Sequence, residues 1–213
     1  MTIAPPTETT HDLLDVAALI RAASADDHKA AESRGFVTRL MKGELSLDDY
    51  TRYLAQYAYI YEALESRTRT ADDPEIFTAE LDRFVSIESD LVALGAADWR
   101  ETHPALPATQ AYADHLRSIS DDDVLYLAHH YTRYLGDLSG GQAIAALVAR
   151  HYGATPEQLS FYRFEGIAPV PFKRTYREGI NGLALAPEQV DALIAEVRAS
   201  FRFNSALFDA LAA

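Results

Sequence analysis

Apolar residues in this chain recur every third or fourth position and never settle into sustained alternation with polar ones. That spacing builds helix faces, not strands. The ten glycines and nine prolines fall mainly between the periodic segments, where they mark helix ends and turns. The pattern predicts an all-α chain, a multi-helix bundle with a flexible tail over residues 1–11 and one domain over 12–213. A first helix is expected over 12–33, with Leu13, Val16, Leu19, Ile20 and Ala23 along one side. A short helix should end at Gly43. Ser46 should cap a long helix, with Asp49 three residues on completing a capping box. Its apolar face holds Tyr50, Leu54, Tyr57, Ile60, Tyr61 and Leu64. Residues 76–94 read as helix up to Gly95, followed by a loop with Trp99, Pro104 and Pro107, then a helix over 108–118. Ser120 and Asp121 to Asp123 open a longer helix, their acids set against the positive end of its dipole. It should run to Tyr152 and stop at Gly153. Residues 161–172 read as irregular. Helices over 172–182 and 187–210 complete the chain, the last with Pro187 in its first turn.

Composition narrows the function. A length of 213 residues allows one or two domains, and 48% hydrophobic with 24% charged residues is ordinary for a globular protein. Acids outnumber bases 32 to 19, giving a net charge of −13, which disfavours nucleic acid and anionic membranes as partners. There is no cysteine. Disulfides, iron–sulfur clusters, thiolate-ligated or covalently attached haem, Cys-rich zinc sites and cysteine nucleophiles are thereby excluded. The first ten residues lack the basic start and apolar core of a signal peptide. The longest apolar run, Ala143 to Ala149, is seven residues, far short of a membrane span. A soluble cytoplasmic protein without a membrane anchor is expected, as a monomer.

Within the long helix, the stretch YTRYLGDLSGGQA (Tyr131 to Ala143) carries Gly136, Gly140 and Gly141. Each glycine costs about 1 kcal/mol relative to alanine in a helix, so three need a reason. A phosphate loop fits poorly, because no Lys-Ser/Thr pair follows. A membrane dimer face fits poorly, because the segment is too polar. Tight packing against another helix is one reading. The other is a flat ligand lying against bare backbone, which also gives Asp137 a purpose. Among seven histidines, His28 stands out. Glu32 lies four residues on, where it can take the second ring N–H and make His28 a better metal ligand, although such pairs are also common on plain helix surfaces. Arg21 lies two turns before His28, about 10 Å along the axis. Lys173, Arg174 and Arg177 form a second cationic group, either a solvated face or an anion site.

Together these residues resemble the haem oxygenase family, in particular its soluble bacterial members. The resemblance rests on YTRYLGDLSGGQ, HKAAE (His28 to Glu32), YEALE (Tyr61 to Glu65), FYRFEGIA (Phe161 to Ala168), YRE (Tyr176 to Glu178) and the FxFN of Phe201 to Asn204, and covers about residues 12–210. It implies that haem b is both substrate and prosthetic group, held between a proximal and a kinked distal helix. The haem would be cleaved by O₂ and electrons to biliverdin (the IXα isomer), carbon monoxide and ferrous iron. His28 would be the proximal iron ligand, with Glu32 behind it. Gly136 and Gly140 would form the distal wall, steering a ferric hydroperoxide toward a meso carbon. Asp137 would organise the water that supplies the proton, with Tyr61, Arg133 and Asn204 anchoring that network. Arg21, Tyr131, Lys173 and Arg177 would hold the propionates, while Ser139, Gly141 and Phe201 would complete the haem contacts. Electrons would come from a reductase, ferredoxin or flavodoxin.

Rival readings are weaker. A di-iron carboxylate oxygenase needs paired Glu-x-x-His motifs on core helices, and the one such spacing, Glu8 with His11, falls in the expected tail. A thiaminase-like relative needs a cysteine. A haem carrier or sensor needs His28 and the cationic clamp but not Asp137 among glycines. A plain helical interaction protein accounts for none of the polar positions.

Overall fold

The computed structural model describes residues 15–213; the expected tail and the Glu8–His11 spacing lie outside them. The described residues are helical throughout the core, in the order α1 (Val16–Ala23), α2 (Ala25–Glu32), α3 (Gly35–Lys42), α4 (Leu47–Glu65), α5 (Phe84–Ala93), α6 (Trp99–Thr102), α7 (Pro107–Ser118), α8 (Asp123–Gly136), α9 (Gln142–Tyr152), α10 (Pro169–Gly182) and α11 (Pro187–Ala212). Short 3₁₀ turns occupy 79–81, 156–158 and 160–162, and a π-turn over Asp137–Gly141 joins α8 to α9. Among the described residues, no helix is long and apolar enough to cross a membrane.

Where the signals are local, the elements follow them. The Ser46 hydroxyl accepts from the Asp49 N–H at 3.0 Å, and the Asp49 carboxylate accepts from the Ser46 N–H at 2.8 Å. The expected capping box therefore starts α4. Asp122 caps α8, its carboxylate accepting from the Val124 and Leu125 N–H groups. Pro187 opens α11. Gly43 and Gly153 end α3 and α9 with φ of +74° and +70°, the left-handed region where glycine meets no Cβ penalty.

Four expectations are corrected. The helix expected over 12–33, whose first three residues with Leu13 lie outside the described ones, is two helices over its described part, broken at Ser24 (φ −102°, ψ 4°). The buried Ser24 hydroxyl donates to the Ile20 carbonyl at 2.8 Å, a local bond that competes with helix continuation. Residues 76–94 are not one helix either. The chain turns through 79–81, and α5 begins only at Phe84, because Glu65 at the end of α4 caps it from outside: its carboxylate accepts from the Arg83 N–H at 2.6 Å and the Phe84 N–H at 3.0 Å. Trp99 opens the short α6 in place of the expected loop. Finally, the Pro169–Val170–Pro171 tract starts α10 instead of preceding it; proline is well suited to a first helical turn, where its missing N–H is not needed.

The core is aromatic. Tyr50, Tyr53, Tyr57 and Tyr61 from α4 are buried together with Phe161 and Tyr162, and Tyr57 and Tyr61 meet Phe161 edge-on. α4 is buried on nearly every side, since Thr51, Gln56 and the alanines of its other face are also inside. Gln56 is satisfied there, accepting from the Leu106 N–H and the Thr109 hydroxyl and donating to the Pro104 carbonyl. α11 lies along α8 and also contacts α1, α2 and α3. The break at Ser24 sets α2 against α11, where Arg198 pairs with Asp27 at 2.8 Å. A cleft is left between α1–α2 and the α8–α9 junction.

Candidate functional site

That cleft is a cavity of about 1190 Å³, larger than most small-molecule pockets. One wall is α2, the opposite wall is the end of α8 with the π-turn, and α10 closes one end. Among the described residues, His28 is the only histidine lining it. The His28 ring meets Phe201 edge-on with centroids 5.3 Å apart. Its Nδ1 lies 3.4 Å from Glu32 Oε2, and the two side chains are 51% and 70% exposed. The expected one-turn pairing is therefore present, and Nε2 is the ring nitrogen not turned to Glu32.

The opposite wall separates the three glycines. A Cβ built on Gly136 or Gly140 would meet nothing within 4 Å; both face the cavity. A Cβ on Gly141 would lie 3.0 Å from Tyr162 Cδ1. Tight packing thus accounts for Gly141, although it lines the cavity as well, while open space explains the other two. The helix widens by one residue through the π-turn, a form frequent at functional sites, and this carries Asp137 inward with Ser139 and Gly140 on the exposed side.

Behind the glycines runs a buried polar chain. The Tyr61 hydroxyl donates to Asp137 Oδ2. Arg133 Nε donates to the Tyr61 oxygen at 3.3 Å, and Arg133 Nη1 donates to Asn204 Oδ1. Asn204 Nδ2 in turn donates to the Ser200 carbonyl at 3.1 Å. The Arg133 guanidinium also lies over the Tyr57 ring, 4.3 Å from its centroid, a favourable cation–π placement. Arg133, Asp137 and Asn204 line the cavity; Tyr61 stands one layer behind. Burial lifts the Asp137 carboxyl to about 6, against the opposing pull of Arg133 and the Tyr61 hydroxyl. Burial likewise pushes the Tyr61 phenol well up, so the proton between them belongs to Tyr61.

At the α10 end, Arg21, Tyr131 and Arg177 all line the cavity. Burial raises the Tyr131 phenol, and the charges of Arg177 and Arg21 act against that rise. Lys173 does not line the cavity itself: its Nζ donates to the Ser139 hydroxyl at 3.0 Å, tying α10 to the π-turn. Arg174, noted in the sequence only as part of a basic group, lines the cavity.

Sequence reasoning missed two contributors. Glu65 accepts from the Tyr134 hydroxyl at 2.9 Å as well as capping α5, and burial lifts it to about 7. Arg83 is buried, lies 4.2 Å over the Phe164 ring and donates to the Arg163 carbonyl at 2.6 Å. It holds the segment whose Tyr162 packs on Gly141. Neither has a local signal, since each acts across many residues of chain.

The site can place a nitrogen ligand and a buried carboxyl on opposite faces of one flat space, with cations at its end. Comparison with known proteins agrees. A family model described as heme oxygenase matches residues 14–210. A heme oxygenase of Takifugu rubripes is 37% identical over 213 residues, covering 96% of this chain and 77% of that protein. Heme oxygenase 1 of a Nostoc species is 33% identical, covering 90% of this chain and 84% of its own length. Among solved structures, heme oxygenase-1 of Synechocystis in complex with heme superposes with a TM-score of 0.86 at 30% identity, covering 92% of this chain and 91% of that one. The heme oxygenase of Leptospira interrogans gives 0.85 at 33%, covering 92% and 98%. The chain belongs to the heme (haem) oxygenase family.

Proposed function

We propose that this chain binds haem in the cavity as its substrate and cleaves it oxidatively at the α-meso carbon, yielding biliverdin, carbon monoxide and ferrous iron. The observation that carries this reading is the opposition, across one cavity, of His28 to the bare backbone of Gly136 and Gly140 with Asp137 beside them. The residues fit the group: the glycines leave room for a flat macrocycle, His28 offers a nitrogen, and Arg21, Arg174 and Arg177 offer charge for two carboxylates. When bound, the haem iron supplies the activation of O₂.

The protein's own residues do the rest. His28 would hold the iron through Nε2, while Glu32, 3.4 Å from Nδ1, would accept the hydrogen bond of the Nδ1–H and keep that tautomer. With no side chains at positions 136 and 140, this wall would bring bare backbone and no direct acid against the face of the macrocycle. Asp137 hands protons on through ordered water, and a carboxyl near 6 exchanges protons readily close to neutral pH. Arg133, Tyr61 and Asn204 fix its position. Arg21, Tyr131 and Arg177, with Lys173 and Arg174 at the same end, set the rotation of the macrocycle by gripping its carboxylates; arginine can do this bidentately. Electrons come from an external ferredoxin, flavodoxin or reductase.

Incubation of the haem complex with ascorbate or a reductase under O₂ tests the reading. Biliverdin and free iron should appear as the Soret band is lost. A Soret band that persists would make the protein a haem carrier.

A further inference from the structure

Away from the cavity, three helices converge on a second cluster. His115 comes from α7, His129 from α8 and Glu196 from α11. The Nε2 atoms of both histidines reach the same oxygen, Glu196 Oε1, at 2.5 and 2.7 Å. One atom from each residue can be chosen so that all lie within 4.8 Å of one another. His129 is fully buried, Glu196 is 14% exposed and His115 29%. None of the three lines the haem cavity, and the proposed reaction uses none of them.

We propose that His115, His129 and Glu196 form a binding site for one borderline divalent cation of the first transition row, with zinc as the type ion. The ligand set is right for that class: two imidazole nitrogens and one carboxylate are a recurrent zinc combination, with a fourth position left for solvent. The fourth position opens on the side of the partly exposed His115. Tyr112 and Phe203, whose rings stack at 4.8 Å, flank the cluster, Tyr112 beside His129 and Phe203 beside His115 at 4.9 Å.

A second observation points the same way. His129 Nδ1 is already engaged with the Tyr112 hydroxyl at 3.1 Å, and that hydroxyl meets Ser200 Oγ at 3.1 Å. A metal-bound histidine needs just such a partner on its other nitrogen to fix the ring. Without an ion, protons bridge the two Nε2 atoms to the carboxylate. With one, donors now 2.5–2.7 Å from Glu196 Oε1 need only spread to roughly 3.3 Å, the separation set by bonds of about 2.0–2.1 Å at tetrahedral angles. Small rotations of three side chains on three packed helices achieve that.

The full-length, haem-free protein should be titrated with cobalt(II) and then zinc, with bound metal counted after ultrafiltration and cobalt followed by its visible d–d absorption. One equivalent of each is expected, zinc displacing cobalt. His115→Ala and Glu196→Gln should weaken binding at least tenfold, whereas His28→Ala should leave it unchanged. Circular dichroism checks that each variant folds. Should Glu196→Gln fail to fold, His115→Ala and His115→Gln decide the matter, because that ring is partly exposed. The proposal is overturned by absence of stoichiometric binding, by binding that survives the loss of His115, or by binding that disappears in His28→Ala and so belongs to the cavity.

Discussion

On one wall of the cavity Asp137, Tyr61, Arg133 and Asn204 are buried and bonded in a row, while on the other His28 and Glu32 leave half or more of their side chains exposed. The first wall is built into the core. Its charges have given up water and depend on one another, so any change there alters the fold as well as the chemistry. The second wall rests on a short helix behind a break at Ser24, and its two functional side chains support little else. The protein without its ligand should therefore respond very differently to substitutions on the two sides.

Arg133→Leu should have the largest effect. It strips the charge that faces Asp137 and leaves Asn204 Oδ1 without its donor. Removing one member of a buried ionic network typically costs about 3–5 kcal/mol. Urea unfolding of the haem-free protein measures it. A loss below about 1 kcal/mol would mean that the two walls do not differ in kind.

Asp137→Asn comes next, and pH gives its sign. The Asp137 carboxyl is lifted to about 6 from 3.8, mainly by burial. The folded state therefore binds this proton more tightly than the unfolded chain. The resulting stability is complete below about pH 4 and is lost as pH rises through about 6, on the order of 3 kcal/mol. Glu65, lifted to about 7 by burial, slopes in the same direction, so the informative quantity is the difference between wild type and variant. Asparagine keeps an acceptor for Tyr61 but has no charge to bury. The variant should match or exceed wild-type stability at pH 7, lose the slope between pH 4 and 6, and form biliverdin poorly. An unchanged biliverdin rate would remove Asp137 from the mechanism.

The glycines sharpen the comparison within the first wall. Gly141→Ala should destabilise the haem-free protein by roughly 1–3 kcal/mol, because the new methyl presses on Tyr162. Gly136→Ala and Gly140→Ala face open space and should stabilise it by up to about 1 kcal/mol through helix propensity, while weakening haem binding. Denaturation and haem titration of the three variants separate packing from ligand clearance.

Those glycines also show what a sequence exposes and what it conceals. The motif marks all three alike, yet only coordinates tell that Tyr162 stands against one and nothing against the others. Signals carried within a turn of helix were legible: the Ser46–Asp49 capping box, Pro187 and the stop at Gly153. The His28–Glu32 pairing was legible for the same reason. The cap on α5 was not, because Glu65 supplies it across 18 and 19 residues of chain. Nor was the break at Ser24, where one hydroxyl bond to Ile20 outweighs an unbroken apolar stripe. The link from Tyr61 to Asp137 spans 76 residues, and only resemblance to a family suggested that they meet. Resemblance also placed Lys173 at the propionates; its Nζ bonds Ser139, which lines the cavity, and Arg174 lines the cavity as well.

Glu32→Gln should have the smallest effect on the fold. The carboxylate is 70% exposed and its contact with His28 is 3.4 Å long. Exposed pairs of this kind contribute between about 0 and 1 kcal/mol, and no other hydrogen bond or ion pair of Glu32 stands beside it among the described residues. Unfolding of the haem-free variant should coincide with wild type. The haem complex should behave otherwise. Without a carboxylate on Nδ1 the imidazole is a poorer donor and is free to turn, and losses of that kind cost about 10–100-fold in metal affinity or activity. Titration with haem, followed at the Soret band, measures this directly. A wild-type affinity together with a wild-type turnover rate would show that Glu32 is only a surface partner, and His28 would then hold the iron with Phe201 alone to orient its ring.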